Sequence, residues 1–200
     1  FRMGDPSMTP FPQMPQVIDY AHNEIRCDWM DVFLGATCRF LIGTASGFLR
    51  LPSYFGVPVI FTNCTHFVPY YSLNKHDLYL PRLLNRKESG ENVSLNEYMS
   101  PPISMFSSTK RFTEAGLDWI ENTPEEIKDL VIEMAENLEF KRELNSEDEE
   151  LQKIFRSLFA LNTKRFISHE EVMKPYRYYL GQIRFRHSTK FLKENKNWLK

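Results

Sequence analysis

Cysteine, glycine and net charge are all scarce in this 200-residue chain. The three cysteines, Cys27, Cys38 and Cys64, are odd in number and form no CxxC pair, which excludes a disulfide scaffold. Cys64 and His66 draw half a metal site with no second half at ligand spacing, so no protein-held metal is expected. Free thiols in a reducing compartment are the reading that remains. Eight glycines in no periodic order exclude a collagen-like repeat. Lys plus Arg number 25 against 26 Asp plus Glu, a net charge of -1, so no global attraction to nucleic acid is available and no nucleic-acid partner is expected. No apolar run approaches the roughly 18 residues that a membrane span needs. The opening residues also lack the charged start and apolar stretch of a secretory signal.

What is present is ordinary for a globular protein: 42% hydrophobic and 26% charged residues. At this length a chain buries roughly 70% of its unfolded surface, as one large domain or two small ones. It opens Phe1-Arg2-Met3-Gly4-Asp5 without an initiator Met, and the expectation is a segment of a longer polypeptide.

Met8–Gln16 carries Pro10, Pro12 and Pro15 and reads as an extended surface connector. Val17–Tyr20 reads as a short strand, and Asp28 as the N-cap of a helix ending near Cys38. Arg39–Gly43 is an apolar run of the kind found in a strand covered on both faces. The polar turn Thr44-Ala45-Ser46-Gly47 follows, then a helix over Phe48–Phe55 and a buried strand over Val57–Phe61. Strand, helix, strand, helix, strand in this order predicts a parallel α/β sheet with right-handed crossovers. Beyond Asn63 the pattern loosens. Thr65–Leu84 reads as an irregular excursion, Ser94–Met99 as a short capped helix, and Asn122–Ile127 as a helix start with proline in the first turn. Glu143–Glu150 reads as an acidic loop entering another helix. The last 30 residues read as helical and basic: from Lys174 on, eight positive charges face Glu194 alone, a formal +7.

In open parallel sheets ligands bind outside the carboxyl ends of the strands. Three groups of residues fall there. Gly43–Gly47 offers small residues for close backbone approach and the hydroxyls of Thr44 and Ser46 as donors to a phosphate; the plain alternative is a tight turn with Ser46 as an ordinary cap. It is neither a Walker A loop nor a GxGxxG fingerprint. Arg2, Gly4 and Asp5 would end a first strand, with Asp5 accepting from a ribose or base and Arg2 facing a phosphate; the alternative is an acidic turn before Pro6. Asp28 and Asp31 at the next helix start, and Asn63 at a strand end, are supporting candidates. His22, His66, His76, His169 and His187 read as surface or packing residues.

The runs Arg2–Met8, Val17–His22, Asp28–Leu34, Cys38–Gly47 and Phe55–Pro58, with Asn122–Ile127 and Ser188–Leu192, resemble a family of bacterial glycosyltransferases found with surface-carbohydrate genes. The resemblance covers most of the chain. It implies a Rossmann-like parallel sheet flanked by helices, the C-terminal, donor-binding half of a GT-B enzyme, over residues 1–140. Residues 141–200 would be a helical C-terminal extension packed on it. More distantly the chain is similar to GT-B fucosyltransferases. That likeness implies Asp5 at the base or ribose and Thr44, Ala45, Ser46 and Gly47 around the pyrophosphate. Those enzymes carry a His-x-Arg motif, absent from these residues, so the chain alone is expected to bind donor without transferring it.

The implied partners are a nucleotide-sugar donor, a glycan or lipid-linked acceptor and a missing N-terminal domain. No cofactor or metal is implied. The implied setting is the cytoplasm, at the inner face of the membrane, with the basic tail either docking on anionic lipid or packing across the interdomain cleft. A non-catalytic nucleotide-binding or interaction module of the same fold is the competing expectation. A flavodoxin-like domain is a weaker third, since neither an acidic pocket with a following Lys nor a flavin-phosphate loop is visible.

Overall fold

The computed structural model describes residues 1–44, 46–64, 74–106, 108–140, 143–169 and 185–200. Within them the chain is α/β. Four strands form a parallel sheet in the order β1 (Leu41–Gly43), β2 (Val59–Cys64), β3 (Leu78–Pro81) and β6 (Arg186–His187). A separate antiparallel pair joins β4 (Leu83–Arg86) to β5 (Leu117–Ile120). The helices are α1 (Asp28–Thr37), α2 (Arg50–Tyr54), α3 (Leu95–Tyr98), α4 (Thr109–Glu114), α5 (Pro124–Phe140), α6 (Ser146–His169) and α7 (Thr189–Glu194). Helices flank the parallel sheet, an arrangement compatible with a Rossmann-like fold. No helix among the described residues is long and apolar enough to cross a membrane.

The central strands form where apolar side chains run without alternation, as burial on both faces requires. Val59, Ile60 and Phe61 of β2 and Leu78 and Leu80 of β3 are fully buried. Their aromatic neighbours form one layer: Phe61 stacks on Tyr79 with ring centroids 4.3 Å apart, and Tyr79 meets Phe185 at 4.2 Å. Beyond them Phe155 of α6 sits edge-on to His187 at 3.9 Å. Each such ring contributes about 2 kcal/mol through apolar burial. α5 packs over β2 and β3 with Leu130 and Met134 inward. It starts where the sequence predicts, because Thr123 and Glu126 form a reciprocal cap: the Glu126 N–H donates to Thr123 Oγ1 at 3.2 Å and the Thr123 N–H to Glu126 Oε2 at 2.7 Å. Likewise Ser94 Oγ accepts from the Glu97 N–H, opening α3.

Several expectations change. Val17–Tyr20 is not a strand of the sheet: Arg2 and Asp19 make one isolated parallel bridge, and a 3-10 turn follows at Tyr20–His22. Asp28 is the first residue inside α1 rather than its cap; Cys27 occupies the cap and makes no side-chain bond. Leu78–Pro81, read as part of an irregular excursion, is the buried strand β3; the part of that excursion over residues 65–73 lies outside the described residues. Among the described residues, the segment after residue 140 is mostly helical but also supplies β6, because the backbones of Arg186 and His187 pair with Leu78 and Tyr79. The sheet therefore draws strands from both sides of that boundary.

A buried carboxylate seals the amino ends of the central strands. Asp77 is fully buried; its Oδ1 accepts from the Val59 N–H at 2.8 Å, its Oδ2 from the Asn74 N–H at 3.1 Å, and its carbonyl from the Arg186 N–H at 3.0 Å. One residue thereby aligns β2, β3 and β6.

Candidate functional site

The carboxyl end of β1 leads into an exposed turn. Gly43 is tight: a Cβ there would lie 3.1 Å from Leu49 Cδ2, so the missing side chain is what lets Leu49 close against the strand. Gly47 is the opposite case, with nothing within 4 Å of an added Cβ. Thr44, Ser46 and Gly47 are exposed, and Ala45 lies outside the described residues. Ser46 precedes the 3-10 turn Gly47–Leu49 in extended backbone, yet its side chain makes no capping hydrogen bond. The alternative reading of Ser46 as an ordinary cap therefore does not describe this hydroxyl. Thr62 Oγ1 donates to the Gly43 carbonyl at 3.4 Å and links the ends of β1 and β2. The next cation along the chain is Arg50, the first residue of α2, which sequence reasoning did not single out.

Arg2 is held within the N-terminal loop. Its Nη1 lies 3.0 Å from Asp19 Oδ1 and its Nη2 donates to the Thr9 carbonyl at 3.3 Å, so its charge is engaged within the N-terminal loop. Asp19 also accepts from the Phe11 N–H at 2.8 Å, and that bond leads the causes holding its carboxyl below the usual range. Gly4 has a positive φ of 155°, and a Cβ on it would meet Met8 Sδ at 2.7 Å. Asp5 is exposed and accepts from the Ser7 N–H at 2.9 Å; its hydrogen bonds with Ser7 lower its pKa and keep it a carboxylate. Among the described residues no hydrogen bond or ion pair ties this loop to the Gly43–Gly47 turn.

Asp28 is exposed in the first turn of α1, where a carboxylate suits the helix dipole. Asp31 faces the buried Tyr20 hydroxyl, whose pKa is raised first by burial and then by Asp31. Both belong to the helix start and its packing.

Asn63 belongs to a clamp at the carboxyl ends of β2 and β3. It has a left-handed φ of 51°, within an irregularity of the β2–β3 pairing between Phe61 and Cys64. Its N–H donates to Asn122 Oδ1 at 2.6 Å, while the Asn122 N–H donates back to Asn63 Oδ1 at 2.8 Å. Asn122 Nδ2 donates to the Pro81 carbonyl at 2.8 Å. Asn122 thus ties both strand ends to the start of α5 and fixes the floor beside the β1 turn. The sequence showed Asn122 only as a polar cap; its partner lies 59 residues away.

The basic tail is spent largely on internal pairing where it is described. Lys190 meets Asp129 at 2.6 Å, Lys193 meets Asp148 at 2.7 Å and Lys196 meets Glu147 at 2.7 Å. Lys174, Arg177 and Arg184 lie outside the described residues. No group of three or more His, Cys, Asp or Glu placed to hold a metal occurs among the described residues. Comparisons with protein-family models, with curated proteins and with solved structures return no match.

Proposed function

We propose that the chain is the donor-binding half of a glycosyltransferase, holding the diphosphate of a nucleotide sugar at the turn that leaves β1. The observation that carries this reading is the Ser46 hydroxyl: exposed, next to the open Gly47, and not used to cap the turn it precedes. The surroundings agree with it. The turn stands at the carboxyl end of a parallel strand, where α/β sheets take their ligands. The Asn63–Asn122 clamp holds the neighbouring strand ends still. Transfer of a sugar from such a donor leaves negative charge on the departing nucleoside diphosphate, and hydroxyls, backbone N–H groups and cations stabilise it. Thr44 and Ser46 would supply hydroxyl donors, and Asp5 would accept from the ribose or base. The acceptor is proposed to be a glycan or lipid-linked sugar at the inner face of the membrane, with the general base supplied from outside these residues.

One observation favours the second reading, a module that binds nucleotide without transferring sugar. Arg2, the cation expected at the leaving group, is committed to Asp19. Calorimetry with UDP-glucose and GDP-fucose tests the binding common to both readings. Ser46→Trp fills the turn and is expected to abolish binding; an unchanged affinity removes the assignment. Turnover of the bound donor in the presence of acceptor then separates enzyme from module.

A further inference from the structure

α1 is apolar on two faces, and the fold covers only one of them. Gly35 turns inward: a Cβ there would lie 3.1 Å from Leu51 Cδ2, so α2 packs closely on that side, and Asp31 faces the buried Tyr20 hydroxyl. The opposite side carries Trp29, Val32, Phe33 and Ala36, the i, i+3, i+4, i+7 spacing by which a helix packs on a neighbour. Yet Trp29 is 63% exposed, Phe33 48% and Val32 43%. Trp29 and Phe33 meet edge to face with ring centroids 5.7 Å apart, so the two rings brace each other on the surface. The outer face of a solvated helix is normally charged or polar; none of these four positions is.

The same excess runs along the neighbouring chain. Among the described residues seventeen large hydrophobic side chains are exposed, and ten of them lie in the first 33 residues, where only Tyr20 and Ala21 are buried. At about half exposure each, ten such side chains present on the order of 900 Å², comparable with the roughly 800 Å² that each partner of a standard interface buries. The stripe on α1 is the part of this surface that lies on one helix face.

Charge selects what fits the stripe. Asp28 is exposed at the amino end of α1, and Arg39, just past its carboxyl end, is 59% exposed and lies 3.6 Å from an equally open Glu139. A second α1 laid antiparallel brings Trp29 of one copy over the small Ala36 of the other, and Asp28 of one beside Arg39 of the other, twice over by symmetry. The helix dipoles oppose as well. Arg26, the cation ahead of the helix, acts on Asp5 of its own chain. An anionic membrane is a poor match, since α1 holds Asp28 and Asp31 and no lysine or arginine.

We propose that this face is an interface between two copies of the chain, paired about a two-fold axis through antiparallel α1 helices. The pairing does not depend on what the β1 turn binds.

Sedimentation equilibrium of the whole chain from about 1 to 200 μM covers the affinities expected of an interface of this area. The mass is expected to rise from 23.7 kDa toward twice that value. Trp29→Lys removes an aromatic anchor at an exposed site and should weaken dimerisation at least about thirtyfold. Asp28→Arg and Arg39→Asp should each weaken it about tenfold, because each bridge occurs twice and becomes repulsive. The double variant, with the two charges exchanged, should regain the wild-type constant, and urea unfolding checks that every variant is folded. A mass of 23.7 kDa at every concentration overturns the proposal. So does a dimer indifferent to Trp29→Lys, or one that the charge exchange fails to restore. A monomer that pellets with phosphatidylglycerol vesicles assigns the face to lipid and overturns it too.

Discussion

The two ends of the parallel sheet are built to opposite plans. At the amino ends of β2, β3 and β6 the fully buried carboxylate of Asp77 takes backbone donors and closes the edge of the core. At the carboxyl end β2 and β3 are held by the amide of Asn122, but β1 beside them opens into exposed Thr44, Ser46 and Gly47. The closed end explains order in the sheet; the open corner explains nothing about stability. At that corner Ser46 is exposed and its side chain makes no capping hydrogen bond.

Substitutions at the two ends should therefore separate in size. Asp77→Ala orphans two backbone N–H groups, one of them in the core, and is expected to cost about 3 kcal/mol or more in urea unfolding. A loss under about 1 kcal/mol would mean that water replaces the carboxylate and the closed end is not closed. Gln152→Leu attacks β6 instead. Gln152 Nε2 donates to the His187 carbonyl at 2.9 Å and its Oε1 accepts from the His187 N–H at 3.2 Å, both buried, so a cost of about 2–3 kcal/mol is expected. Asn122→Ala should cost about 2 kcal/mol, since part of the clamp lies where water can enter. Ser46→Ala is the smallest, within about 0.5 kcal/mol of wild type, while nucleotide affinity drops. A large stability loss there would turn the open corner into a structural turn.

Acid sharpens the same contrast. Burial drives the pKa of His187 from 6.5 down to about 3. The unfolded chain takes up a proton that the folded chain refuses, so stability falls as pH drops from 6.5 toward 3, by up to about 1.4 kcal/mol per pH unit. Urea unfolding across this window should show that slope in the wild type and lose most of it in His187→Leu. Asp129 and Glu147, whose pKa values are lowered by their bonds to Lys190 and Lys196, add a smaller loss only below the usual carboxylate range.

The contrast also bears on what a sequence makes legible. α1, β2, α3 and the start of α5 are legible because their signals are local: an apolar run, a capping serine, a proline in a first turn. β1 has such a run too, yet among the described residues it lies at the sheet's edge with Ile42 exposed rather than covered on both faces. β3 was missed because Leu78–Pro81 is short, buried on both faces and closed by a proline, so no alternation marks it. β6 holds an arginine and a histidine, which become strand residues only through Asp77, Tyr79 and Gln152. The turn after β1 is marked in the sequence by its small residues. The pairing of Arg2 is not legible in the sequence because its carboxylate, Asp19, lies 17 residues away, across a proline-rich connector. The bonds of Asn122 are hidden for the same reason, since Asn63 lies 59 residues away and is brought to it by the fold.

β6 has a consequence for how the molecule comes into being. The strand that finishes the sheet lies about a hundred residues beyond the one it pairs with. During synthesis β3 must wait, with one edge bare, until Arg186 and His187 have cleared the ribosome.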